Sequence, residues 1–156
     1  MLLYALMLAV ATQSVPPGEE PVAPYAQSDT NAGAAPFTGT GMLKAFHGRE
    51  GIARIVDDTV DRALVDKRLA DILKGQDIVR LRRLLKEQFC YILNGGCAYT
   101  GRNMKDGHKN LGLQNADMGA LVEDLQAAMR KERVPFFAQN RFLAKLAPMR
   151  RDAVER

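Results

Sequence analysis

His108 is one of two histidines in the chain and lies in the stretch 99–113, Tyr-Thr-Gly-Arg-Asn-Met-Lys-Asp-Gly-His-Lys-Asn-Leu-Gly-Leu. Imidazole is the commonest side-chain metal ligand and a ready proton carrier, so its surroundings decide which chemistry is in reach. The turn Tyr99-Thr100-Gly101 leads in, and Asn103 has the side chain to cap a short helix. Met104 and His108, four residues apart, share one face of that helix. Gly107 leaves the backbone open to something flat and bulky, and Gly112 stops the helix. A single imidazole on a short, glycine-flanked helix facing an apolar surface holds haem iron from one side. Other chemistries lack their parts. No nucleophile–histidine–acid set is visible, no phosphate-binding glycine loop occurs, and Cys90 and Cys97 have neither the spacing of covalent haem attachment nor that of a zinc site.

The elements that must position His108 are helical. From residue 42 onward there is no hairpin signal and no run of alternating β-branched residues. Over 51–65, Ile52, Ile55, Val56, Val60, Ala63 and Leu64 fall on one face, and 66–73 is a short continuation ended by Gly75. Asp77 can cap a second long helix over 78–93, where Ile78, Leu81, Leu85, Phe89 and Ile92 recur at helical spacing. Arg80, Arg82, Arg83 and Lys86 take much of its other face, and Asn94-Gly95-Gly96 ends it. A third helix over 115–131 carries Met118, Leu121, Val122, Leu125 and Met129. Pro135 opens a fourth, rich in Phe136, Phe137, Phe142, Leu143 and Leu146, and Pro148 interrupts it. The irregular stretch 94–113 between the second and third helices is long for a compact domain and leaves a gap sized for a cofactor.

The remaining bounds are compositional. An apolar content of 47% with 26% charged residues suits one soluble globular domain in 156 residues. A net charge of +4, with acids interspersed, is no nucleic-acid footprint. Residues 1–11 are apolar and uncharged, shorter than the roughly 20 residues a membrane-spanning helix needs. With Ala9-Val10-Ala11 as a small-x-small site they read as a signal peptide or an apolar tail, though no Lys or Arg precedes them. A cleaved leader implies a periplasmic or secreted protein, and otherwise a cytoplasmic one. Export would let Cys90 and Cys97 close a disulfide, and a cytosolic location would keep them reduced. Residues 12–41 hold five of the seven prolines and read as a disordered linker, so the folded domain is 42–156.

The run from Gly95-Gly96 through Tyr99-Thr100-Gly101-Arg102, Met104-Lys105 and His108 resembles truncated haemoglobins, most nearly group I of the proteobacterial type. The similarity extends through Gly112 and Leu113 and over 51–64 and 143–152. The resemblance implies an all-α, two-over-two helical sandwich around haem b, preceded by the disordered segment, with His108 as the proximal iron ligand. It implies a diatomic gas as ligand (oxygen, carbon monoxide or nitric oxide) and a reductase partner of unknown identity. Oxygen transport, nitric oxide dioxygenation, peroxide chemistry and gas sensing are all compatible with it.

The same resemblance assigns the rest of the pocket, and here the chain departs from the family. Thr59 and Val60 stand where a Phe-Tyr pair is usual, Leu81 and Leu85 where a Leu and, one turn beyond it, a Gln are common, and Leu73 where a phenylalanine packs on the haem. Phe89 matches a pocket aromatic. Met104 is a haem-face contact or core packing, and Phe46 a haem-edge contact or a core plug. Val60, Leu81 and Leu85 have no hydrogen to donate, so the pocket favours dioxygen less, relative to carbon monoxide, than the family's usual one. Thr59 or Gln88 supplies a donor only if the helices are rotated from the family register. Arg82, Arg83, Lys86, Arg102 and Lys105 are a solvated face from which one or two cations could meet haem propionates. A second reading is a haem-free helical scaffold that binds a protein partner through the basic face at 80–86.

Overall fold

The structure is a computed structural model and describes residues 14–155. The expected leader at 1–11 lies outside the described residues. The fold is all-α: α1 (Gly41–Ala45), α2 (Gly48–Val65), α3 (Ala70–Leu73), α4 (Ile78–Ile92), α5 (Met104–Gly107), α6 (Asn115–Lys131), α7 (Phe136–Leu146) and α8 (Arg150–Ala153). Short 3-10 turns cover Asp29–Ala32 and Ala147–Met149. α2 is central and packs on α4 and α6; α6 also packs on α7, and the short α5 packs on α8.

Local chemistry accounts for most boundaries. The Asp77 carboxylate accepts the Arg80 N–H at 2.9 Å and starts α4. Asp117 accepts the Gln114 N–H at 2.8 Å across the first turn of α6. Pro135 precedes α7, and Pro148 turns the chain through the 3-10 segment into α8.

Phe142 of α7 is fully buried and packs edge-to-face on Phe46 at 5.0 Å and Phe89 at 4.8 Å. Ile52, Ile55, Val56 and Val60 from α2 and Leu125, Ala128 and Met129 from α6 complete this main cluster. A second, smaller cluster forms around Ala63, Leu69 and Ala120, with Ile72, Leu73 and Leu121 packed against it. The apolar interior is therefore divided, and α2 contributes to both parts.

One expectation is corrected. Residues 14–40, within the stretch expected as a disordered linker, lie along the domain, irregular apart from the 3-10 turn at Asp29–Ala32, and are held to it. The Phe37 N–H donates to the Ile92 carbonyl at 2.8 Å, the Tyr25 hydroxyl donates to the Thr100 carbonyl at 2.6 Å, and Ala32 is fully buried. Composition misleads here because the segment has no core of its own. Bonds to residues far along the chain offset its ordering entropy.

Cys90 and Cys97 form a disulfide across the end of α4, with Cα atoms 5.7 Å apart. The turn between them is possible because Gly96 adopts φ +75° and Gly95 has no side chain: a Cβ there would stand 2.6 Å from the Cys90 Sγ. Replacing both cysteines with alanine lowers stability by about 2–3 kcal/mol, the chain-entropy value for so short a loop. Urea unfolding checks this, and reductant added to the unchanged protein reproduces the shift.

Candidate functional site

Asn103 caps α5 by accepting the Asp106 N–H at 2.8 Å. The helix ends at Gly107 rather than running on to Gly112, which sits in the following loop at φ +65°. His108 is the residue at its C-terminal boundary and is half-buried. Its backbone N–H donates to the Met104 carbonyl at 3.2 Å, and its ring Nδ1 lies 2.7 Å from the same oxygen. A carbonyl has no hydrogen to give, so Nδ1 carries the proton and donates. Nε2 is thereby left as the ring atom able to bind a metal, in the manner of histidine ligands oriented by a backbone carbonyl. A Cβ at Gly107 would meet only Arg102 Cβ, at 3.9 Å, so the backbone beside His108 is open.

The Tyr-x-Gly element before α5 has a steric cause. The Tyr99 ring folds over Gly101, where a Cβ would lie 2.2 Å from the tyrosine oxygen, and its hydroxyl donates to the Arg102 carbonyl at 3.1 Å. Burial pushes the Tyr99 phenol up to about 12, so it stays a donor.

The predicted site residues divide between the two clusters. Val60 and Phe89 are buried in the main one, and half-buried Leu81, Leu85 and Met104 pack against it. Leu73 packs against the second, beside Ile72 and Leu121. Phe46 is fully buried and packs edge-to-face on Phe142. Sequence reasoning missed Gln88 and Met149 as neighbours of the proximal segment. The Gln88 amide lies 3.5 Å from Met104 Sδ and 3.6 Å from Met149 Sδ. Only the distance along the α4 stripe, three and four residues on from Leu85 and Leu84, hinted at Gln88.

Neither alternative donor is spare. The Thr59 hydroxyl donates to the Ile55 carbonyl of its own helix at 2.7 Å, and the Gln88 amide donates to the Ala32 carbonyl at 2.8 Å. The basic face at 80–86 is likewise engaged. Arg82 pairs with Asp57 and Asp61, Arg83 with Glu19 and Glu87, and Lys86 with Asp57 at 2.9 Å. Arg102 donates to the Ala23 carbonyl and lies 5.1 Å over the Tyr25 ring. Such neutralised cations make a poor docking surface for an acidic partner, which counts against the face at 80–86 as the contact surface of the scaffold reading. A surface cavity of about 530 Å³, lined by Arg49, Val79, Arg82, Arg83, Lys86 and the disulfide among others, holds three of the candidate propionate cations but neither His108 nor any of the apolar residues expected around the haem.

Among the described residues no group of three or more His, Cys, Asp or Glu side chains is placed to hold a metal ion. One imidazole is too few for a bare transition metal. A metal that brings its own donors in a flat apolar frame needs one further ligand from the protein, which His108 Nε2 beside the open backbone at Gly107 can supply. Among the described residues no helix is long and apolar enough to cross a membrane.

Comparison with known proteins agrees with this architecture. The family model described as bacterial-like globin matches residues 42–155. The group 1 truncated haemoglobin of Mycolicibacterium paratuberculosis is 28% identical over 102 residues, 65% of this chain and 75% of the relative. That of Synechocystis sp. is 30% identical over 98 residues, 60% of this chain and 79% of the relative. The crystal structure of truncated haemoglobin from Tetrahymena pyriformis in its Fe(III) form superposes with a TM-score of 0.70 at 23% identity, covering 74% of this chain and 98% of the other. The 2/2 haemoglobin from Synechococcus sp. PCC 7002, solved with covalently attached haem, gives 0.67 at 19% identity over the same shares. With the helical order, the capped α5 and His108 at its end, these matches identify the chain as a member of the bacterial-like globin family, on its truncated haemoglobin branch.

Proposed function

We propose that this chain holds haem b with His108 as the proximal iron ligand and takes a diatomic gas on the opposite side, in a pocket without a side-chain hydrogen-bond donor. The observation that carries the reading is the 2.7 Å contact from His108 Nδ1 to the Met104 carbonyl, which turns Nε2 into the free ring donor. When bound, the haem iron supplies a coordination position for dioxygen, carbon monoxide or nitric oxide. Met104 orients the imidazole from behind. Val60, Leu81 and Leu85 exclude water and offer no polar hydrogen, while Thr59 keeps its hydroxyl on the α2 backbone. Carbon monoxide needs little from a donor, so this pocket retains it well relative to dioxygen. Turnover of oxygen or nitric oxide requires an external reductase. The Cys90–Cys97 disulfide supports export to an oxidising compartment.

The test is the optical spectrum of the full chain reconstituted with haem. A Soret band at one haem per chain, a ready ferrous carbon monoxide complex and a short-lived dioxygen complex are expected; no Soret band overturns the proposal. Val60→Tyr, which restores a hydroxyl, slows dioxygen dissociation by roughly tenfold or more while carbon monoxide changes little. The larger ring costs about 1–3 kcal/mol of overpacking at this buried site. Flash photolysis and stopped flow separate the two gases.

A further inference from the structure

We infer that residues 14–37 form a proximal strap that holds the loop 97–103 and, through Met104, positions His108, with Glu19 as the positioning residue that anchors it. The claim about His108 as a haem ligand rests on the function proposed above; the claim about the strap does not.

The short helix α5 has no buried residue and only four residues in all, too few to hold its own conformation or place. Its position must come from outside. On one side α8 packs against it and Glu155 accepts the Gly112 N–H at 3.1 Å. On the other side stands the strap. The Glu19 side chain is 1% exposed, paired with Arg83 and with Arg80 at 3.2 Å. Arg83 passes the connection on, donating to Thr100 Oγ1 at 2.8 Å and to Glu87 at 2.9 Å, and Glu87 accepts the Thr100 N–H at 2.9 Å. The hydrogen bond from Arg83, set against burial, holds the Glu19 carboxyl below its usual range, in keeping with a charged anchor.

Beyond that anchor the strap grips the loop backbone residue by residue. Asp29 accepts the Tyr99 N–H at 2.8 Å, the Tyr25 hydroxyl donates to the Thr100 carbonyl, and the Asn31 amide donates to the Gly101 carbonyl at 3.2 Å. The strap then reaches Met104 itself. A Cβ on Gly33 would stand 3.1 Å from Met104 Cγ, and Gln88 bridges the Ala32 carbonyl to Met104 Sδ. The Met104 carbonyl is the acceptor that orients His108. Strap, loop, Met104 and imidazole are thus one continuous set of contacts.

The experiment uses the full chain, haem-free and haem-loaded, with Glu19→Gln, Glu19→Asp and Asp29→Ala. Hydrogen–deuterium exchange is read by mass spectrometry on peptides covering 99–108, and haem transfer to excess apomyoglobin is timed. Glu19→Gln and Asp29→Ala are expected to speed exchange at 99–108 by about tenfold, the equivalent of one lost charge-assisted hydrogen bond, with α2 and α6 unchanged. Haem transfer should quicken by a similar factor, and Glu19→Asp should fall between. Unchanged exchange at 99–108 overturns the inference. So does an equal rise across α2, α4 and α6, which would make Glu19 a general stability residue. If the unchanged chain takes up no haem, the proposed function falls while the exchange results still decide the strap.

Discussion

His108→Ala removes the Soret band from protein reconstituted with haem, or weakens haem retention by at least about 100-fold, while the helical circular dichroism is preserved. Altering the groups that merely orient a metal ligand costs roughly 10–100-fold in affinity, so deleting the ligand sets that as a floor. The fold should survive. His108 is half-buried at the end of a four-residue helix, and its ring makes one hydrogen bond, to Met104. Losing that bond costs about 0.5–1.5 kcal/mol. Added imidazole should return part of the band, because the Nε2 donor would be supplied from solution. A variant that kept an undiminished Soret band would show that iron is held elsewhere, and the site would have to be abandoned.

The second large effect is on stability. Phe142→Ala lowers the unfolding free energy by about 3–5 kcal/mol, the range for deleting a fully buried phenylalanine and leaving a cavity. Phe142 is the ring on which both Phe46 and Phe89 pack edge-to-face, so removing it leaves two aromatic edges without a partner. Natural domains have only about 5–15 kcal/mol in hand, so this variant should unfold at markedly lower urea. Phe136→Ala is the internal control. It is the same change on the same helix, but Phe136 is 73% exposed, and its removal should stay within about 0.5 kcal/mol. Equal losses for the two would mean that α7 is not seated as described.

Local chemistry made much of the chain legible without coordinates. The capping carboxylate of Asp77, the Asn103 cap, Pro135 and Pro148 act on backbone groups within a few residues, so the starts of α4, α5 and α7 and the break after α7 follow from neighbours in sequence. The spacing of Ile52, Ile55, Val56 and Val60 states by itself which face of α2 is buried. His108, four residues past Met104 and beside Gly107, stands out on the same local grounds.

Tertiary structure decided what depends on distant partners. Composition in 14–41 argued for disorder, yet Glu19, Asp29 and Asn31 find their partners 60 or more positions along the chain, at Arg83, Tyr99 and Gly101. No window of sequence contains both ends of such a bond. Phe46 finds its ring partner in Phe142, nearly a hundred residues on. Thr59, Gln88 and the cations of α4 were open to several partners. Thr59 settles on the Ile55 carbonyl of its own helix, a local bond, whereas only packing determined that Gln88 reaches the Ala32 carbonyl, Arg82 reaches Asp57 and Asp61, and Arg83 reaches Glu19. The imidazole proposed as iron ligand is legible locally, from its neighbours Met104 and Gly107. The ring nitrogen it presents depends on a rotation of the imidazole that only the folded surroundings set.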